Sequence, residues 1–148
     1  MTPEPSIIFT IERANAALPL VRSITRDLAQ ISREVIERRC QVQRLLAGRS
    51  IDDSDPYTAE LAQVQEEMES QVGQLDEYLE ELAELGVEAR NGPEGHINTV
   101  DFPAEMDGRL VYLCWQFGEE EVSHWHEIEA GFAGRQKLVA ETAAEEAC

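Results

Sequence analysis

Basic residues are scarce in this chain: twelve lysines and arginines stand against thirty acids, for a net charge of −18. Nucleic-acid binding rests on a positive surface, so nucleic acid is not an expected partner. An anionic membrane surface would repel the chain for the same reason. Such an excess of acid favours solubility, cationic partners and metal ions. Long apolar runs are missing as well. No stretch approaches the ~20 apolar residues of a membrane helix, and the opening MTPEPSIIFT lacks the basic start and apolar run of a signal peptide. Cysteine is sparse, and Cys40, Cys114 and Cys148 are odd in number and widely spaced. That spacing excludes a disulfide framework and predicts reduced thiols in a cytoplasm. Hydrophobic content of 43% excludes global disorder, and 148 residues predict one domain over 1–148.

The strongest periodicity is helical. Thr10 is a plausible N-cap, and Val21, Ile24, Leu28, Ile31, Val35, Val42 and Leu45 recur at spacings of three and four, broken only by Arg38. Pro19 is expected to kink this helix or to mark its true start. After a polar connector at 48–54, Asp55-Pro56 signals a second helix start. Its seam comprises Tyr57, Leu61, Val64, Met68, Leu75, Tyr78, Leu82 and Leu85, interrupted by Gln71, and Gly86 is the expected C-cap. Residues 10–50 carry eight arginines and four acids, whereas 51–90 carry thirteen acids and one arginine. The two helices are therefore predicted to fold back as a coiled-coil-like antiparallel hairpin over 10–85. A bare hairpin buries one stripe per helix, so either a homodimer forming a four-helix bundle or packing of a sheet against one end is expected.

The remainder reads as a small antiparallel sheet of three to four strands within 86–135, making the fold class α+β. Candidate strands are 86–91, 96–102, 109–117 and roughly 121–126, with a turn at Met106-Asp107-Gly108. Residues 136–148 are rich in alanine and glutamate and read as a frayed, helix-prone tail.

Chemistry concentrates between Asp101 and Arg135. A hairpin here would place Cys114 opposite His124, with His126 on the same face beside Tyr112, and would put Trp115 and Trp125 on the opposite side. Thiolate and imidazole are ligands favoured by zinc and iron. Cys114, His124 and His126, with Glu119 and Glu127 to complete the shell, form the candidate metal set. The C-x9-H-x-H spacing matches no tight zinc signature. The competing reading makes Cys114 a buried filler and the histidines ordinary strand residues. A helix over 119–128 would instead separate Cys114 from His124. Gly131-Phe132-Ala133-Gly134-Arg135 can form an anion-binding turn with Arg135 gripping a carboxylate or phosphate. Arg135, Asp101, Trp115 and Trp125 form the candidate ligand-binding set. Asp101 suits a carboxylate ligand, a base or a turn cap, and His96 reads as a surface histidine.

Phe9-Thr10, Ala14-Asn15, Leu18-Pro19, Gly86-Val87, Val100-Asp101-Phe102-Pro103, Leu113-Cys114-Trp115, Gly118-Glu119, Trp125-His126-Glu127, Gly131-Phe132 and Gly134-Arg135-Gln136 together resemble a bacterial family, domain of unknown function 2203. The resemblance implies no activity. In that family the position of His124 is usually tyrosine-like, which shifts weight to Cys114, Glu119, His126 and Glu127.

Three functional classes stay open at this point. The first is a binding module with a divalent-metal or small-anion site and a self-associating hairpin. The second is a metal-dependent, hydrolase-like enzyme, and the third is a coiled-coil adaptor.

Overall fold

The computed structural model describes residues 7–47 and 58–138. Helix α1 runs Ile11–Leu46 and α2 runs Thr58–Glu84, followed by strands β1 Glu88–Asn91, β2 Ile97–Met106, β3 Arg109–Gln116 and β4 His124–Glu127. A short 3-10 turn, Phe132–Gly134, leads into β5, Gln136–Lys137. The strands form one five-stranded sheet in sequence order, each antiparallel to its neighbours. The chain is α+β, a helical hairpin on an antiparallel meander.

Thr10 caps α1, its hydroxyl accepting from the Arg13 amide at 3.1 Å. Pro19 lies inside the helix without marking its start, and α1 continues for 36 residues, about 54 Å. Helix α2 ends in paired bonds from Gly86 N to Ala83 O and from Val87 N to Leu82 O, both 3.0 Å. This is a Schellman end, with Leu82 and Val87 both buried in the same core cluster. Gly86 holds φ at 83°, and a Cβ there would press on Ile7, so the position requires glycine twice over. The Asp55-Pro56 start signal, the connector and Tyr57 lie outside the described residues.

The hairpin seam is interrupted once in each helix, and the two interruptions meet. Arg38 Nε donates to Gln71 Oε1 at 3.3 Å and its NH1 pairs with Glu67 at 2.7 Å, while Gln71 donates to Glu34 at 3.4 Å. One polar layer between two apolar stripes fixes helix register, because any slip would strand these groups.

The sheet packs on the first two-thirds of α1. Ala14, Leu18, Val21, Ile24, Leu28 and Ile31 meet Val100, Phe102, Ala104, Val111, Leu113 and Trp115 in one core. Side chains of α1 also hold the β3–β4 loop. Asn15 Oδ1 accepts from Val122 N at 2.7 Å and Arg22 donates to Glu120 O at 2.8 Å, while at the start of β2 Ser32 Oγ accepts from Ile97 N at 3.0 Å.

Three sheet features differ from the sequence expectation. β2 does not stop at Phe102 but continues through Pro103 to Met106. The carbonyl of Pro103 accepts from Phe9 N at 2.7 Å, so this residue's missing N–H faces the Phe9 side and costs no bond to β3. β4 begins at His124, later than expected, because the backbone of 119–122 bonds to Trp115, Arg22 and Asn15. Gln136 and Lys137, expected in a frayed helical tail, pair with Trp125 and His124 instead. Residues 139–148 lie outside the described residues.

Candidate functional site

The candidate site is built by strand register. Asp107 (φ 53°) and Gly108 (φ 80°) make a two-residue turn that sets Met106 opposite Arg109. Counting back along that ladder places Asp101 opposite Cys114. On the other side of β3, Cys114 pairs with His124 and Tyr112 with His126. Three adjacent strands thus each deliver one side chain, Asp101, Cys114 and His126, to the sheet face turned away from α1. A ligand atom from each lies within 4.8 Å of the others, and all three residues are buried. They line a cavity of about 220 Å³ that Arg90, Thr99, Gly131 and Phe132 also border. The return segment 128–135 lies over this face, so β3 is buried on both sides and reads as an apolar run.

The His126 ring is held at both nitrogens. Nδ1 lies 2.6 Å from the Glu127 carbonyl oxygen, which can only accept, so Nδ1 carries the hydrogen. The ring's Nε2 lies 3.0 Å from Asp101 Oδ1, so the ring ties β4 to the carboxylate of β2. The second Asp101 oxygen accepts from Arg90 Nε at 3.1 Å. Arg90 also pairs with Glu88 at 2.8 Å and lies over the Tyr112 ring. Burial works against the Arg90 charge, but the Asp101 hydrogen bond and the Glu88 and Asp101 carboxylates outweigh it, leaving the pKa raised above its ordinary value.

Burial and the neighbouring Asp101 carboxylate push the Cys114 thiol up to about 12 against the pull of Arg135. Burial and Glu88 push the Tyr112 hydroxyl up to about 12 as well. Cys114 is therefore a neutral thiol at pH 7, which argues against a cysteine nucleophile. A bound divalent cation would displace that proton.

The other sequence candidates fall elsewhere. Glu119 Oε1 accepts from Gln116 N at 2.7 Å and from Arg135 at 2.6 Å, and its other oxygen is 3.5 Å from His124 Nδ1. Glu119, His124 and Arg135 thus form a group of their own outside the Asp101–Cys114–His126 cluster. Glu127 pairs with Arg109 at 2.7 Å. The Arg135 guanidinium turns inward, donating to Glu119 and to Cys114 O and lying over Phe132. Its Nε is buried without a partner among the described residues. Trp115 sits in the core beneath α1, its Nε1 donating to Glu119 O at 2.9 Å. Trp125 packs at the core's edge with Arg109 over its ring. Sequence reading did not place Arg90 at the site. The Asp-Gly turn carried the register for Asp101, and Arg90 follows one strand further out, opposite Thr99.

The architecture defines a class, a helical hairpin on a five-stranded antiparallel meander with a buried Asp–Cys–His cluster on the far face. A family model described as an uncharacterized conserved protein (DUF2203) matches residues 7–138, and the chain belongs to that family. No curated protein and no solved structure matches it.

Proposed function

We propose that this protein is a metal-binding module that holds a divalent transition ion, zinc or iron, through Asp101, Cys114 and His126. One observation carries the reading: carboxylate, thiol and imidazole ligand atoms converge within 4.8 Å in a buried cluster. The hydrogen bond on the far side of the imidazole supports it. A ligating imidazole usually donates its other N–H to a carbonyl or carboxylate, as His126 Nδ1 does to Glu127 O. With three protein ligands, a bound ion would keep room for an exchangeable ligand, and the adjoining cavity could admit one. Elemental analysis of protein purified without added metal tests this. About one equivalent, lost in His126→Ala with helix content retained, is the expected result. Sub-stoichiometric metal that ignores the substitution removes the site.

The adjoining cavity favours a second reading, a metal-dependent hydrolase whose bound ion activates water. Stoichiometric metal without hydrolysis of simple esters or phosphoesters would leave the binding module alone. Self-association through the hairpin belongs to the proposal as well. Ile36, Leu46 and Val72 are large apolar side chains exposed on its helices. Light scattering reporting a strict monomer removes that part.

A further inference from the structure

The metal-site reading leaves untouched a second cavity of about 350 Å³, where the β1–β2 turn and the end of β3 meet α1. Arg26 and Arg33 of α1, His96, Asn98, Gln116 and Phe117 line it, with Glu94 as the one acidic lining side chain. In a chain of net charge −18, this lining sets two guanidinium groups and several amide donors against one carboxylate. Arg26 and Arg33 are seven residues apart, two helical turns, so they share a face about 10 Å apart.

Their partners are few. Arg26 meets only its exposed sequence neighbour Asp27, at 3.4 Å, and Arg33 has no ion pair among the described residues. His96 is the more telling residue. It is only 8% exposed, yet its ring finds no hydrogen-bond partner among the described residues. Its ring nitrogens are not among the fully buried polar atoms, so they open onto the cavity and can meet a ligand there. Phe117, 39% exposed, stands edge-on to Trp115 at 6.0 Å and offers an aromatic wall beside the donors.

We propose that this cavity binds a small organic oxyanion, a carboxylate- or phosphate-bearing molecule. The anionic group would lie between the two guanidinium groups and His96, with an apolar body against Phe117. A guanidinium fork matches both oxyanions. The test titrates the full-length protein with phenyl phosphate and, separately, with benzoate, followed by calorimetry and by the His96 ring resonances. Binding of at least one probe with a shift of the His96 signals is expected, and the two probes distinguish phosphate from carboxylate. Arg33→Gln, at an exposed position, should weaken binding by about tenfold, and Glu94→Gln should tighten it. No binding of either probe at about 10 mM, a very weak limit, or binding that Arg33→Gln leaves unaltered, overturns the assignment. Metal content should be unchanged in Arg33→Gln and anion binding unchanged in His126→Ala, so the two sites stand or fall separately.

Discussion

Asp101 Oδ1 lies 3.0 Å from His126 Nε2 although the two residues stand on strands separated by β3. Their contact spans the sheet diagonally, and both side chains are only 2% exposed. Asp101→Asn removes a buried carboxylate that serves Arg90 and His126 at once. Breaking a buried pair from one side leaves its partners uncompensated, so a loss of about 3 kcal/mol is expected. Chemical denaturation checks this, and a loss well under 1 kcal/mol would show the pair to be dispensable to the fold.

Alkaline pH should destabilise the protein through Cys114 and Tyr112. Each is held near 12 in the fold, above its ordinary value of 9.0 or 10.0. The unfolded chain therefore releases these protons first. The stability is fully present below pH 9 and is lost as pH rises from there toward about 12. Thermal melts across that window should show the fall, and Cys114→Ala should shallow it. A melting temperature flat to pH 11 in the unsubstituted protein would contradict the expectation.

The thiols should differ in reactivity in the same way. In a Cys148→Ser background, a disulfide reagent at neutral pH should modify exposed Cys40 readily and buried Cys114 only on unfolding. Counting titrated thiols before and after adding denaturant decides it, with one then two as the expected values. Two at once would mean that Cys114 is open to solvent.

Asn15→Ala should loosen the β3–β4 loop without disturbing the sheet. Its side chain is the acceptor for the Val122 amide at 2.7 Å. About 1 kcal/mol of stability should be lost, the size of one intramolecular hydrogen bond. Hydrogen exchange at Val122 should accelerate while that of β2 and β3 stays slow. Unchanged protection at Val122 would show that another group holds the loop.

The Arg38–Gln71 layer should be worth more in register than in stability. Gln71→Ala removes a partner from Arg38 and Glu34 and should cost about 1 kcal/mol. Replacing both Arg38 and Gln71 with leucine should cost less than the two single changes summed, or should stabilise, while broadening the oligomer distribution seen by light scattering. A strictly additive double variant would mean that the two side chains act independently.

Much of this fold was legible in the chain. The helical hairpin followed from spacings of three and four, and the pairing of Cys114 with His124 followed from strand alternation. The breaks at Arg38 and Gln71 were visible one by one, but sequence alone did not show that they face each other. The expected strand 96–102 stopped short of Pro103, and only the direction of that residue's carbonyl shows why β2 passes through it. At the site, attention to the Cys–His spacing of a single hairpin drew Glu119, His124 and Glu127 into the ligand set. Local pairing with Arg135, Gln116 and Arg109 engages the two glutamates. Asp101 enters the cluster from the preceding strand through the Asp107-Gly108 turn, a long-range consequence of a local signal.

The sheet's two outer strands are short, four residues in β1 and two in β5, while the ten-residue β2 lies inside. Margins this brief give another chain little to hydrogen-bond, which discourages fibril-like growth. Detachment of β1 would uncover β2, and any aggregation of a weakened variant should begin along that newly bared backbone.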